Sequence, residues 1–455
     1  MARPTPLSGF PEWLPAERIV EQHVLDSIRA TFELHGFASV ETRAVEPLDQ
    51  LLRKGEIDKE VYVLRRLQAA DSDNDSGLGL HFDLTVPFAR YVLENAGHLE
   101  FPFRRYQIQK AWRGERPQEG RYREFVQADI DVVDRDTLPF HYEVELPLVV
   151  GEALGRLPIP PVTIHVNNRR LAEGFFRGVG ADDPSLVLRS VDKLDKIGPE
   201  KVAELLQAEA GLSEAAAKAC LDFASICTPD SSFADQVRAL GVSDPLLDQG
   251  LDELVRVVDA AAEQAPGLMV ADLKIARGLD YYTGTVYETL LEGAEGLGSI
   301  SSGGRYDALA SDGRTTYPGV GISIGVTRIL SRVLGHNLVE ASRAVPTCVL
   351  VAVADEAHRR RSISIARSLR ARGIACEVSP SAAKYGKQIR YADRRGIPFV
   401  WFPADPADPA STDSVKDIRS GDQAAADASV WSPPAVDLRP SVRRTEPDPT
   451  KEQHL

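Results

Sequence analysis

Three arginines stand out because each lies in a glycine-rich or aromatic-rich stretch beside strand-like sequence: Arg113, Arg277 and Arg328. Arginine presents a planar fork of donors that matches the oxygens of a phosphate group. The chain contains neither a GxxxxGK[ST] loop nor a GxGxxG turn after a strand, so a nucleotide would have to be held by arginines and a sheet surface. The spacing alone indicates a phosphate-handling enzyme, and an ordinary surface ion pair is the alternative interpretation of each arginine.

Periodicity and turn residues predict the elements that would position these arginines. Residues 15–36 have the apolar spacing of an amphipathic helix with a proline in its first turn, and the strand FASVET follows. Residues 106–113 and 123–133 carry alternating or aromatic-rich patterns on either side of a polar segment that contains glycine and proline. They predict a long antiparallel hairpin with Arg113 at the end of its first arm.

The composition changes along the chain in a way that predicts separate domains. Residues of about 167–266 are rich in Ala and Leu and predict an inserted helical module without a cluster of catalytic groups. Strand-like, glycine-rich sequence then returns, and residues 344–424 alternate strands and helices, which is typical of a small α/β unit. We expect a main domain of residues 1–338, interrupted by the module, a second domain of residues 344–424 and a mostly disordered tail of residues 425–455.

Charge is distributed unevenly over the 455 residues. The net charge is -14, yet residues 343–402 carry twelve Lys and Arg against four Asp and Glu. A second basic segment, residues 104–123, has seven basic against two acidic side chains. Two basic segments in an acidic protein favour two specific polyanion sites, with two solvated helix faces as the alternative.

Other features exclude membrane and secreted classes. No apolar stretch approaches the roughly 18 residues that a membrane span needs, and prolines interrupt the N-terminus where a secretory signal would be apolar. The four cysteines, Cys220, Cys227, Cys348 and Cys376, match no common zinc or redox spacing. We expect a soluble cytoplasmic protein with reduced thiols and no membrane partner.

Longer motifs resemble a known enzyme family. FRRYQIQKAWRGERPQEGRYREFVQADIDVV is similar to the second class-defining motif of class II aminoacyl-tRNA synthetases, and GVGISIGVTRIL is similar to the third. RGLDYYTGTVYE and SSGGRYD resemble the two histidine-specific signatures of the histidyl-tRNA synthetase family, and KYGKQIRYADRRGIPFV with SVKDIRSGDQ resembles its anticodon-binding domain. The resemblance extends from about residue 15 to residue 423, and the helical insertion is its weakest part.

The resemblance implies a fold and a reaction. It implies an α+β chain, with a class II catalytic domain built on an antiparallel sheet and a C-terminal α/β anticodon-binding domain. The implied enzyme is a homodimeric histidine-tRNA ligase whose substrates are ATP, L-histidine and tRNA(His), with Mg2+ beside the pyrophosphate oxygens. Carboxylate, α-phosphate and leaving pyrophosphate come together in the first step, so fixed cations must offset their mutual repulsion.

The resemblance also assigns roles to individual residues on the nucleotide side. Arg113 and Arg277 match contacts to the α-phosphate, Arg328 matches the γ-phosphate contact, and Glu115 matches the acidic residue near the adenine amino group. Contacts to the tRNA acceptor end are expected from the turn between the hairpin arms, at Arg116, Gln118, Arg121 and Arg123.

On the histidine side, the resemblance implies three groups of residues. Those matching the amino-group site are Asp83, Thr85 and Gln127. Those matching the imidazole site are Asp131 and Tyr282, with Tyr281 nearby. Those of the glycine segment beside the substrate are Gly303, Gly304 and Arg305. A helix-capping role for Asp83 and a core position for Tyr282 are the alternative interpretations.

Two positions depart from the family pattern. Arg43 and Ala44 stand where the first motif, which forms the dimer, usually has a proline, although Pro47 follows closely. His81 and Phe82 replace the usual Leu-Arg before the acidic residue. The first departure bears on the dimer interface, and the second on the edge of the histidine pocket.

Two other functions compete with the ligase. One is the non-catalytic paralogue that regulates histidine biosynthesis, which lacks the anticodon-binding domain and usually loses the RGLDYYTG segment. The other is a module that senses RNA or histidine without turnover. This chain keeps both sequence features and all three arginines, which favours the ligase.

Overall fold

The computed structural model describes residues 4–52, 60–67, 77–276, 281–405 and 407–445. The chain divides into two compact units. The first contains Met1–Pro11 and Val24–Arg332, and the second contains Glu12–His23 and Val333–Leu455.

A nine-stranded sheet forms the centre of the first unit. Its strands are β1 (Ala38–Ser39), β5 (Phe103–Trp112), β6 (Glu124–Val133), β7 (Val162–Asn168), β8 (Cys227–Thr228), β9 (Met269–Asp272), β10 (Thr285–Leu291), β11 (Ser301–Tyr306) and β12 (Gly319–Gly325). They lie in the order β1-β5-β6-β12-β11-β10-β7-β9-β8, and only the β1-β5 and β7-β9 pairs among these strands are parallel. The predicted antiparallel-sheet fold is confirmed.

β5 and β6 form the hairpin that the sequence predicts. They pair antiparallel from Phe103 opposite Val133 to Trp112 opposite Glu124. β5 begins three residues before the predicted arm, at Phe103, whose ring centroid lies 6.2 Å from that of Phe88. Arg113 therefore follows the last residue of β5, at the end of the hairpin where the turn connects the two strands.

Helices and a small sheet flank these strands. The helices before the insertion are α1 (Pro15–Leu34), α2 (Leu48–Leu51), α3 (Thr85–Asn95) and α4 (His141–Gly155). The small sheet has the order β2-β4-β3 and consists of β2 (Val45–Pro47), β3 (Val63–Leu64) and β4 (Leu78–Leu80). α1 matches the predicted amphipathic helix, since it begins at Pro15 and ends just before Gly36.

The insertion is mainly helical, as its composition predicts. Its helices are α5 (Arg169–Gly178), α6 (Pro184–Val191), α7 (Leu194–Ile197), α8 (Pro199–Ala208), α9 (Glu214–Ala224), α10 (Phe233–Ala239) and α11 (Pro245–Gln264). Side-chain oxygens of Asn168 and Asp244 accept from backbone N–H groups in the first turns of α5 and α11. The sequence does not predict β8, a two-residue strand whose pairing with β9 is a tertiary contact.

The second unit contains a mixed five-stranded sheet. Its strands are β14 (Val349–Val351), β15 (Cys376–Val378), β16 (Phe399–Phe402), β17 (Ser414–Asp417) and β18 (Gln423–Ala425). β15, β14 and β16 are parallel, and β17 and β18 continue antiparallel. Helices α13 (Arg359–Ala371) and α14 (Tyr385–Arg394) alternate with these strands, and buried clusters lie on both faces of the sheet. The predicted β/α alternation is present.

The prediction of a mostly disordered tail from residue 425 is wrong for residues 425–445. Strand β19 (Val442–Arg444) pairs antiparallel with β13 (Val339–Ala341). The ring of Trp431 packs 5.5 Å from Phe399 and 5.6 Å from Trp401. The Arg372 guanidinium also donates to the carbonyl oxygens of residues 428, 430 and 431. The segment is rich in Ala, Pro, Asp and Ser, a composition that predicts disorder. Composition does not record these few specific contacts, so the prediction misses them.

The four thiols are free, as expected for reduced cysteines. In the part of the chain that the structure describes, no helix combines the length and the apolar character required to cross a membrane.

Candidate active site

A polar cleft lies at the turn end of the β5-β6 hairpin. Arg113 and Arg328 both line it, together with Gln127 and Ser323 from the neighbouring strands β6 and β12. Helix α12 (Val326–Gly335) begins directly after β12, so Arg328 lies in its first turn. Two of the three arginines selected from the sequence are thus brought to one cleft. Arg277 lies outside the described residues.

Backbone oxygens hold both guanidinium groups in place. Arg113 Nε donates to the Phe82 carbonyl oxygen over 3.0 Å, and its guanidinium carbon lies 5.2 Å from the centre of the Phe125 ring. Arg328 Nε donates to the Gly120 carbonyl oxygen over 2.9 Å, and its Nη1 donates to the Ser299 carbonyl oxygen. A carbonyl oxygen carries no net charge, so these bonds orient the two guanidinium groups without neutralising them.

Two carboxyl groups accompany these arginines. Glu115 lines the cleft, and Glu60 lies close enough to it for charge interaction. Burial and the charge of Glu115 raise the pKa of Glu60, while Arg113 and Arg121 act in the opposite direction. A cation or a hydrogen-bond donor would relieve the repulsion between the two carboxylates.

The four residues expected to contact an acceptor end all lie in the turn of the hairpin, but their surroundings differ. Arg121 lines the cleft beside Arg113. Arg116 and Gln118 are exposed, and Gln118 pairs through its backbone with Arg121. Arg123 is half-buried, and its Nε donates to the Glu115 carbonyl oxygen over 3.2 Å.

Asp83 and Thr85 lie where α3 begins. Asp83 is buried, and its Oδ1 accepts from the Val86 backbone N–H over 3.1 Å. Asp83 therefore caps the helix, which was the alternative interpretation. This bond involves one of the two carboxylate oxygens, Oδ1. Thr85 is the first residue of α3 and is half-buried.

Asp131 is held by two buried partners. Arg105 Nη2 lies 2.7 Å from Asp131 Oδ2, and the Tyr306 hydroxyl donates to Asp131 Oδ1 over 2.7 Å. Burial and the charge of Asp131 raise the pKa of Tyr306 well above its ordinary value, so the phenol remains a donor. Each carboxylate oxygen thus has a fixed partner, which holds Asp131 in position.

Gln127, Asp129 and Ser323 form a hydrogen-bonded chain across β6 and β12. Gln127 Nε2 donates to Ser323 Oγ over 2.7 Å, and Ser323 Oγ donates to Asp129 Oδ1. Burial raises the pKa of Asp129 to about 7; Arg105 opposes the rise, and Asp131 and Asp83 add to it. The carboxyl group of Asp129 is therefore poised between its neutral and ionised forms near neutrality.

Tyr281 and Tyr282 lie beside this group of carboxylates. Their ring centroids are 4.2 Å apart, and both rings pack on the buried cluster that contains Phe88 and Tyr306. Burial raises the pKa of Tyr281, and the charges of Asp83 and Asp129 act in the same direction, which places the Tyr281 hydroxyl near both carboxyl groups. Tyr282 therefore has both the core position of the alternative interpretation and proximity to the predicted pocket.

Comparisons with known proteins identify the family of this chain. A family model described as "Histidyl-tRNA synthetase" matches residues 9–329, and one described as "Anticodon binding domain" matches residues 347–406. A histidine-tRNA ligase of Cutibacterium acnes is 62% identical over 97% of this chain and 99% of its own length. The chain belongs to the histidyl-tRNA synthetase family.

Further members of the histidyl-tRNA synthetase family support the assignment. A histidine-tRNA ligase of Micrococcus luteus is 60% identical over 98% of this chain and 100% of its own length. The crystal structure of the histidyl-tRNA synthetase from Nostoc sp. PCC 7120 superposes with a TM-score of 0.84 at 34% identity, covering 94% of this chain and 98% of that one. A structure from Bacillus halodurans C, titled as an ATP phosphoribosyltransferase regulatory subunit/histidyl-tRNA synthetase, has a TM-score of 0.71 at 18% identity, covers 85% of this chain and 96% of that one, and shows only a shared fold.

The glycine segment of the histidyl-tRNA synthetase signature lies where strands approach closely. A Cβ atom on Gly303 would lie 2.1 Å from the Gly321 carbonyl oxygen, and one on Gly304 would lie 2.9 Å from the Tyr282 ring. Arg305 Nη1 lies 2.8 Å from Glu143 Oε1, and its Nε donates to Asp307 Oδ1 over 2.9 Å. Arg305 thus forms ion pairs with two carboxylates of its own chain.

The two departures from the histidyl-tRNA synthetase pattern have defined surroundings. His81 is fully buried; its Nε2 lies 2.7 Å from the Lys110 carbonyl oxygen, and its ring centroid is 5.5 Å from that of Trp112. Arg43 Nη2 lies 3.0 Å from the buried Glu46 carboxylate, which also pairs with Arg90 over 2.7 Å. His81 therefore packs under the hairpin, and Arg43 belongs to a local ion-pair network.

Sequence reasoning missed four residues of the site: Arg105, Asp129, Tyr306 and Ser323. Two of them had a usable signal. Asp129 alternates with Gln127 and Asp131 along one strand, which places all three on one face. Arg105 lies opposite Asp131 once the hairpin register is known. Tyr306 and Ser323 reach their partners across non-adjacent segments of the chain, which no local pattern reveals.

Proposed function

We propose that this chain is a histidine-tRNA ligase that joins histidine to ATP as histidyl-adenylate, releases pyrophosphate, and transfers histidine to the 3′ end of tRNA(His). One observation carries the proposal. A cleft with two oriented guanidinium groups, Arg113 and Arg328, adjoins three buried carboxyl groups, Asp83, Asp129 and Asp131. The first set suits the phosphates of ATP, and the second suits a cationic amino acid.

The site residues divide the first step of this reaction between them. The histidine carboxylate attacks the α-phosphorus, the bond to the β-phosphate breaks, and pyrophosphate leaves. Arg113 offsets the charge that gathers on the α-phosphate, and Arg328 binds the γ-phosphate. Glu115 reads the adenine amino group, while Asp131 accepts from the imidazole N–H of the substrate. The role of Arg277 at the α-phosphate stays a prediction from the sequence.

Mg2+ is proposed to accompany ATP. Magnesium typically takes one or two protein carboxylates and completes its shell with phosphate oxygens and water. Glu60 fits this requirement, because the charge of Glu115 contributes to the raised pKa of Glu60 and a nearby cation would offset it. When bound, the ion would neutralise charge on the departing pyrophosphate.

The second unit suits a tRNA ligand. We assign residues 344–424 to anticodon binding and residues 1–338 to catalysis, in a cytoplasmic homodimer. The match of the anticodon-binding family to residues 347–406 supports the first assignment. The exposed cations Lys384, Lys387 and Arg390 on and beside α14 also support it. The anticodon-binding match counts against a regulatory subunit as the alternative function.

Histidine-dependent exchange of pyrophosphate into ATP tests the proposal directly. The wild-type chain should catalyse exchange with histidine and with no other amino acid, and it should charge tRNA(His). Arg328→Ala should lower the exchange rate by a factor of about 100 to 1,000, since one oriented contact of this kind is worth roughly 2.7 to 4 kcal/mol. Arg238→Ala, on an exposed surface of the insertion, is the matched control. Histidine binding without any exchange would instead indicate a sensor.

A further inference from the structure

A carboxyl group that the sequence did not single out lies between two predicted pocket residues. Gln127, Asp129 and Asp131 alternate along β6, so their side chains project from the same face of the strand. Asp129 is only 2% exposed. It thus lies between the residue predicted for the substrate amino group and the residue predicted for the imidazole.

The surroundings of Asp129 carry an excess of buried acid. Asp83 and Asp131 are each 3% exposed, and both interact electrostatically with Asp129. Arg105 is the cation that faces them from β5, and its guanidinium is already committed to Asp131 at 2.7 Å. The Tyr281 hydroxyl, which is neutral, faces Asp129 from the segment before β10. Within the described residues, three buried carboxyl groups around a guanidinium that is paired with Asp131 favour a cationic ligand.

The hydrogen bond made by the side-chain amide of Gln127 fixes the direction of its amide oxygen. Because Gln127 Nε2 donates to Ser323 Oγ, the amide oxygen of Gln127 points elsewhere. That oxygen, Oε1, is buried and has no hydrogen-bond partner within the described residues. A buried acceptor without a partner costs free energy until a donor reaches it. An ammonium group supplies three donors and a positive charge.

Resting on the proposed function, we propose that Asp129 is the counter-charge of the histidine α-ammonium group, which it receives together with Gln127 Oε1, and that this contact expels a proton from Asp129. The carboxyl group is partly protonated in the empty pocket, since burial raises the pKa of Asp129 to about 7. The ammonium stabilises the ionised form. Histidine binding therefore releases a proton to solvent, and histidine affinity rises as the pH rises through this range.

Calorimetric titration of the full-length protein with L-histidine, in two buffers of different ionisation enthalpy, measures both affinity and proton release. Near pH 7 the wild-type protein should release about half a proton more than Asp129→Asn. Asp129→Asn should bind histidine about tenfold or more weakly, and its affinity should depend less on pH. The imidazole of the free ligand titrates identically in both experiments, so the difference between the two proteins reports Asp129.

A second ligand separates an ammonium contact from a structural role. Imidazole-4-propionate keeps the imidazole and the carboxylate but lacks the amino group. Asp129→Asn should bind it as well as the wild type does. Asp131→Asn is the matched variant on the same strand, and it should weaken both ligands, because Asp131 is assigned to the imidazole.

Several results would overturn the inference about Asp129. One is wild-type histidine affinity and proton release in Asp129→Asn; another is an equal loss of affinity for both ligands. If Asp129→Asn does not fold, the wild-type protein alone decides. Greater proton release with histidine than with imidazole-4-propionate, after subtraction of each ligand's own ionisation, supports the inference, and equal release rejects it. A wild-type protein that binds no histidine rejects the proposed function itself.

Discussion

At the scale of single residues, the site depends on how a few buried carboxyl groups are paired. Asp131 has a guanidinium on one oxygen and a phenol on the other, whereas Asp129 has a serine hydroxyl on Oδ1 and like charges nearby. Asp131 is paired with a guanidinium, whereas Asp129 lies near other carboxyl groups. The two carboxyl groups are therefore expected to behave differently, although they lie two residues apart. The separate roles proposed for them rest on these partners.

Asp129 should make the stability of the empty protein depend on pH. Its folded pKa of about 7 lies above the ordinary value of 3.8, so the folded chain retains a proton that the unfolded chain has lost. The stabilisation from this proton is complete below the ordinary pKa and is lost as the pH rises through about 7. Between about pH 5 and pH 8, Asp129→Asn should gain roughly 3 kcal/mol of unfolding free energy relative to the wild type. Urea unfolding across this range measures the difference, and parallel pH profiles would contradict it.

Tyr306 should matter for histidine rather than for ATP. Tyr306→Phe removes the donor to Asp131 Oδ1 and leaves a buried carboxylate oxygen without its partner. We expect histidine to bind about tenfold more weakly, because a hydrogen bond to a charged group is worth roughly 1.5 to 3 kcal/mol. Tyr317→Phe makes the same change within the same buried cluster and is the control. Equal histidine affinity in both variants would show that Tyr306 does not position Asp131.

At the scale of elements, the close packing of strands leaves no room for a side chain at one position beside Asp131. Gly321 on β12 lies opposite Asp131 on β6 and opposite Gly304 on β11. A Cβ atom on Gly321 would lie 2.0 Å from Asp131 Oδ1. The glycine therefore gives the Asp131 carboxylate the space it occupies.

Gly321→Ala should displace the Asp131 carboxylate. We expect a large loss of histidine affinity, a smaller effect on ATP binding, and about 1 to 3 kcal/mol lower stability from overpacking. Gly155→Ala is a suitable control, since a Cβ atom at this last residue of α4 meets nothing within 4 Å. Parallel calorimetric titrations with histidine and ATP measure the effect. Unchanged histidine affinity in Gly321→Ala would show that Asp131 does not need its present position.

At the scale of the whole molecule, charge is separated along the chain. Residues 343–402 carry +8, and the remaining residues carry -22. The structure places exposed cations of this segment on and beside α14, at Lys384, Lys387, Arg390 and Arg394. In an acidic protein, a basic surface of this kind favours polyanion binding at that surface.

Neutralising these four cations to Ala in the full chain should weaken tRNA(His) binding but leave pyrophosphate exchange unchanged. Each phosphate contact removed should reduce the slope of log K against log salt by roughly 0.7 to 0.9. The exposed Lys201 and Lys218 of the insertion, also changed to Ala, provide the control. Filter binding across a salt series checks the slope, and an unchanged slope would mean that tRNA is bound through another surface.

The sequence by itself determined the features that depend on local order. Alternation along residues 106–133 placed both arms of the hairpin, and hairpin geometry then placed Arg113 at its end. The motif pattern identified the family, and it predicted two carboxylates, Asp83 and Asp131, as substrate contacts. These features were accessible because strand period, turn residues and motif spacing are all properties of neighbouring residues.

Only the tertiary structure decided how distant segments complete the site. Tyr306 reaches Asp131 from 175 residues away, and Ser323 reaches Asp129 from 194 residues away. No periodic pattern or fixed spacing in the sequence predicts either hydrogen bond, because both bonds depend on the order of the strands in the sheet. The raised pKa of Asp129 likewise depends on burial, which is set by all the elements that surround it together. The tail up to residue 445 was mispredicted for the same reason, since Trp431 and Arg372 order it through contacts that composition does not record.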